Sequence, residues 1–240
     1  MEEVLLLSTI YLRIFVSPNA NISNERIVWD IYLARKILAP IQIVRFPNPM
    51  NGLGYYELPQ NYNYSSIICS LSGDTEIELA NFDPGDGFRG DGRLINVYYL
   101  GGGADDGACD AVALSEKGNR GKFPILGSIY MSNFNDDFGK YLFTHELVHI
   151  LFARFVNNNN GGNFIQTINM DDPTAPPGAE DQGHSTNEQN LMFPIVPDSS
   201  PFVQAYRQAI QQGTPVPQVP RTLLTSSQRE KALNSQFVFK

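Results

Sequence analysis

The sequence predicts an α/β (α+β) fold: a twisted mixed sheet with a backing helix and a buried helix, then an irregular part that ends in one more helix. Three observations carry this expectation. Short runs rich in Ile, Val and Tyr alternate with helical periodicity through residues 1–156. One segment, from Phe138 to Phe152, is too apolar all round for a surface helix and reads as a central buried one. Beyond it, residues 157–220 are dense in Pro, Gly, Asn and Ser, and read mostly as loop.

The elements follow in order. Ile10, Leu12, Ile14 and Val16 alternate, as a strand requires. Ser23 is placed as the N-cap of a helix running to about Leu38, with Ile27, Ile31, Ala34 and Leu38 as its buried stripe and Pro40 as its stop. Ile41–Phe46, Leu94–Leu100 and Ile125–Met131 read as strands, and 47–66 and 81–93 as loops. Asn135, Asp136 and Asp137 supply N-cap and first-turn chemistry for the central helix, which is expected to run to about Val156 before the Asn157–Gly162 breaker. Thr225-Ser226-Ser227-Gln228 matches a capping box and introduces a last helix to about Asn234.

With 240 residues the chain reads as one domain, an upper part over 1–156 and a lower part over 157–240. Hydrophobic residues at 42% and charged residues at 18% mark a globular protein rather than a disordered one. The 17 Lys+Arg against 25 Asp+Glu give a charge of -8, which argues against nucleic acid or an anionic membrane as partner. No stretch is apolar for the roughly 20 residues a membrane helix needs. Val4–Val16 does not read as a signal peptide, because Glu2 and Glu3 precede it and Arg13 interrupts it. An exported form would have lost its signal before Met1. Cys69 and Cys109, the only cysteines, lack metal-site spacing. They form one disulfide in an exported protein or two thiols in a cytosolic one; the sequence leaves both open, with the disulfide as the working expectation.

The central helix contains His145-Glu146-Leu147-Val148-His149. Residues i and i+4 share a helix face, so both imidazoles can reach one metal ion, with Glu146 beside it. With 3 His and 11 Glu in the chain, an accidental match is expected roughly twice in a thousand such sequences. Zinc suits imidazole donors and keeps an open position when three protein groups hold it. The third histidine, His184, lies in a polar loop; Glu180, Asp181 and Glu188 compete with it as the third ligand.

The stretch from His184-Ser185 to Leu191-Met192-Phe193-Pro194 resembles the end of the metzincin motif, in its matrixin version. There the third zinc histidine is followed by Ser, and eight residues later by the methionine of a tight turn beneath the metal. That resemblance implies His145, His149 and His184 as zinc ligands, Glu146 as catalytic base and Met192 as the structural turn residue. Phe193 stands where some members have a Tyr, so no hydroxyl is expected there. Leu223–Gln228 is similar to the start of the family's C-terminal helix. One departure is large: Phe152 and Phe155 occupy the positions of the family's Gly and third His, and 34 residues separate His149 from His184. Residues 150–183 read as an insertion that lengthens the helix and returns through a long loop.

The function this implies is a zinc-dependent endopeptidase, secreted or at the cell surface and monomeric, in which a zinc-bound water attacks a peptide bond with Glu146 as general base. A polypeptide substrate would add as a strand along the sheet edge, for which residues 107–114 are the candidate. The Gly/Asp-rich loop Asp83–Gly92 has calcium-ligating residue types but no calcium-loop spacing, and reads as solvated. The alternatives are a non-catalytic secreted binding domain on a protease scaffold and a zinc amidohydrolase of another clan with the same helix motif.

Overall fold

Ile10, Leu12, Ile14 and Val16 are buried, and from Leu12 to Val16 the intervening Arg13 and Phe15 are buried as well, which makes β1 (Thr9–Val16) the inner strand that the rest of the sheet builds on. The computed structural model describes residues 8–45, 54–69, 72–84, 93–102, 108–114, 125–132, 141–160, 163–196, 200–219 and 223–240. β1 pairs in parallel with β2 (Gln42–Arg45), with the short β3 (Tyr56–Glu57) and with β4 (Leu94–Leu100). β4 pairs in parallel with β6 (Ile125–Ser132), and β6 pairs antiparallel with β5 (Ala108–Leu114) at the edge. The architecture is therefore mixed α/β with a mostly parallel sheet, its order β2-β1-β4-β6-β5.

Both faces of the sheet are covered, which is why β4 is buried at every position. On one face lie α1 (Asn24–Ile37) and α3 (Leu142–Phe152). Ser23 accepts the Arg26 N–H as N-cap, and Ile27, Ile31, Ala34 and Leu38 are buried, as the periodicity requires. The other face carries the stacked row Phe15, Tyr98 and Tyr130, packed with Leu79 of α2 (Asp74–Asn81). The disulfide Cys69–Cys109 ties the segment after a 3-10 turn at Tyr64–Ser66 to β5. This resolves the cysteine question toward the pairing compatible with an extracellular protein. No helix among the described residues is long and apolar enough to cross a membrane.

Three expectations need correction. The central helix does not reach Val156. It ends at Phe152, where Arg154 turns back and donates to the carbonyls of Leu151 and Ala153, satisfying helix-end acceptors. The chain then enters a hairpin, β7 (Arg154–Asn160) with β8 (Asn163–Asn169), where a longer helix and a loop were expected. The lower part also holds α4 (Ser200–Gln212), an amphipathic helix whose Tyr206 packs edge-on against Trp29 at 4.9 Å. Neither α2 nor β3 was anticipated. Phe46, Gly107, the expected helix start at Asn135–Asp137 and most of the Asp83–Gly92 loop lie outside the described residues. The last helix, α5 (Ser226–Leu233), has the capping box: Thr225 accepts from the Gln228 N–H, and the Gln228 side chain accepts from the Thr225 N–H.

α3 seats against the sheet at Gly127 of β6. A Cβ there would stand 3.0 Å from Ile150 Cγ2 and 3.1 Å from the Phe237 ring. Gly127→Val is expected to lower unfolding stability by about 1–3 kcal/mol through overpacking. A urea midpoint equal to that of the wild type would show that this close approach is not needed.

Candidate metal centre

α3 is buried along its whole length, so His145, Glu146 and His149 leave water on folding and must find partners in the interior. The carbonyl of Leu191 accepts from His145 Nδ1 at 2.7 Å. His149 Nε2 lies 3.0 Å from His145 Nε2. His184 arrives from the loop after β8, and its Nε2 is 3.2 Å from His149 Nε2. Its Nδ1 contacts the Asp181 carboxylate at 2.6 Å. Sequence alone left Asp181 as a competing ligand; the structure puts it behind His184, and leaves Glu180 and Glu188 exposed. The three Nε2 atoms thus converge on one point.

The donor set can be tested for a metal through its protons. A carbonyl only accepts, so His145 Nδ1 carries the proton and its Nε2 presents a lone pair. Asp181 likewise accepts from His184 Nδ1, so the lone pair of that ring, in its neutral form, sits on Nε2 as well. His149 Nε2 can carry at most one proton, yet it faces both. A His149 Nε2–H can point well at only one of the two, whereas a cation at the centre accepts a lone pair from all three. Tetrahedral zinc at about 2.0–2.1 Å from each nitrogen would space them about 3.3 Å apart, close to the observed contacts. This group could therefore hold a metal ion. Burial, the first cause in each case, keeps the two helix histidines neutral: His145 is pulled down to about 4 and His149 falls well below its ordinary value.

The turn that carries Met192 is bound to this loop. Ser185 N–H donates to the Met192 carbonyl at 2.8 Å, and Met192 N–H donates to Asn190 Oδ1 at 2.9 Å. Met192 itself is fully buried. Asn190 in turn exchanges hydrogen bonds with Gln228, which also donates to the buried Asp172. The capping glutamine of α5 thereby organises the loop that faces α3.

Glu146 projects into a cleft of about 560 Å³ whose walls include Ala108, Cys109 and Asp110 of β5, the three histidines, and Pro194–Val196. One of its carboxylate oxygens lies within 4.8 Å of one of Asp110 and of a His149 ring nitrogen, and Asp110 was not singled out from the sequence. The available signal was one acid within the otherwise apolar run of β5. Burial, then the charge and hydrogen bond of Asp110, hold the Glu146 carboxyl well above the ordinary glutamate range. Burial raises Asp110 too, with the Glu146 hydrogen bond acting the other way. A divalent cation at the histidines would favour the ionised form of both.

No family model, curated protein or solved structure matches the chain. The site must be judged on its own chemistry. Because Asp181 orients His184, Asp181→Ala is expected to weaken zinc binding about 10–100-fold, while Glu180→Ala and Glu188→Ala leave it unchanged. Competition against a chromogenic chelator measures this. Equal affinities across all three variants would detach Asp181 from the centre.

Proposed function

We propose that this protein is a zinc-dependent endopeptidase with a metzincin-like arrangement of helix histidines, distant loop histidine and methionine turn. One observation carries the reading: three imidazole Nε2 atoms converge on one point, and two of the rings have Nδ1 against an acceptor, which turns their Nε2 lone pairs toward it. Support for the family likeness comes from the element order, in which strand, helix and strands precede the motif helix, and from the hydrogen bond tying Met192 to the His184 loop. The long stretch between His149 and His184 carries the hairpin β7–β8.

His145, His149 and His184 would hold the ion. When bound, zinc supplies Lewis acidity, polarising a carbonyl and making water a stronger acid. Glu146 follows His145 directly on α3 and faces the same cleft, so its carboxylate is placed to take a proton from the attacking water and return it to the leaving amine. The substrate would add as a strand to the outer edge of β5, the sheet edge beside the cleft. Met192 would form the hydrophobic floor beneath the metal without touching substrate. The disulfide fits a secreted or surface setting, and it braces the edge strand next to the site.

The test combines metal content with cleavage of an unfolded protein. The protein should bind one zinc and lose cleavage on chelation, and His184→Ala should lose both metal and activity. Glu146→Ala should keep zinc and fold but lose about 10²–10⁴-fold in turnover. Zinc binding without any cleavage would instead identify a non-catalytic binding domain on this scaffold. Turnover undiminished in Glu146→Ala would remove Glu146 from the mechanism.

A further inference from the structure

Asp110 is the only acidic residue of β5, and it stands in the cleft wall with a carboxylate oxygen within 4.8 Å of one of Glu146. Its Oδ2 is buried and receives no hydrogen bond. Neither Lys nor Arg is among the described residues lining the cleft. Asp110 Oδ2 therefore has no donor among the described residues of the cleft. Leu142, Ile195 and Val196 add apolar surface to the lining of the same cleft, and Ile195 is widely exposed. A methylene stem ending in a cation matches this pairing of apolar wall and buried carboxylate. Charge-assisted hydrogen bonds are also about twice as strong as neutral ones, and the net charge of -8 draws cations toward the protein.

We propose that Asp110 is a specificity residue that selects substrates carrying Lys or Arg at a residue flanking the scissile bond, with the ammonium or guanidinium donating to Asp110 Oδ2. The flanking position follows from proximity: Glu146 works at the scissile bond, and a carboxylate oxygen of Asp110 lies within 4.8 Å of one of Glu146. This inference rests on the peptidase reading above and extends it to a substrate class.

The experiment uses the zinc-loaded protein and quenched peptides that differ only at that residue: Lys, Arg, norleucine or Glu. In the wild type, kcat/KM for Lys and Arg should exceed that for norleucine by about tenfold or more, with Glu lowest. Asp110→Asn keeps the shape and an acceptor but removes the charge; the Lys-to-norleucine ratio should fall to within about twofold, and Asp110→Glu should retain the preference. Calorimetry with Lys and norleucine peptides N-methylated at the scissile amide reads the same ratio as Kd, without turnover. A wild-type ratio near one in either measurement, or a preference that survives Asp110→Asn, overturns the proposal. If no peptide is cut at all, the peptidase reading fails, and the calorimetric ratio still decides the cation subsite.

Discussion

The hydrogen bond from His145 Nδ1 to the Leu191 carbonyl joins residues 46 apart in the chain. It sets the tautomer of a buried ring, and so decides which nitrogen faces the cleft. It also seats the Leu191–Met192 turn against α3, since the Leu191 N–H is itself bound by the Leu223 carbonyl at 2.7 Å. From there the constraint passes outward through Asn190 to Gln228 and Asp172, all buried and all hydrogen-bonded. A buried polar network of this kind rigidifies when complete and is costly when broken. His184 is delivered by the same loop, because its neighbour Ser185 is bound to Met192.

The rigid half of the centre comes from a helix with no exposed side. α3 lies among α1, β5, β6 and α5, and only a residue without a side chain at Gly127 lets it approach β6 so closely. Its two histidines and Glu146 therefore cannot swing away. The helix then stops early because Arg154 satisfies its terminal carbonyls and the chain continues as a strand. A hairpin of this kind occupies much of the sequence between His149 and His184 while leaving the two ends of the insertion free to converge.

Electrostatics bind the site into one unit. Three imidazole Nε2 atoms converge on one point, and the carboxylates of Glu146 and Asp110 lie within 4.8 Å of one another beside them. Positive charge favours both arrangements in a low-dielectric setting, and the histidine group could hold a metal ion. The disulfide at Cys109, next to Asp110, holds the edge strand that presents this acid.

The sequence by itself determined the histidine face of α3, because a four-residue spacing on a helix is a local property, and only three histidines exist to complete a set. It likewise determined the caps at Ser23 and Thr225 and the strands with clear alternation, since capping and pleating act over a few residues. The hairpin was not legible: Asn157–Gly162 reads as a breaker, although Gly161-Gly162 is also what a two-residue hairpin connection favours. Nor were α4, whose docking depends on Trp29 far upstream, or the partners of the histidines, Leu191 and Asp181. Asp110 beside Glu146 is the clearest case. Their meeting depends on β5 turning antiparallel at the edge of a parallel sheet. Only packing across the whole chain, where many weak contacts choose one register, could bring those two carboxyls together.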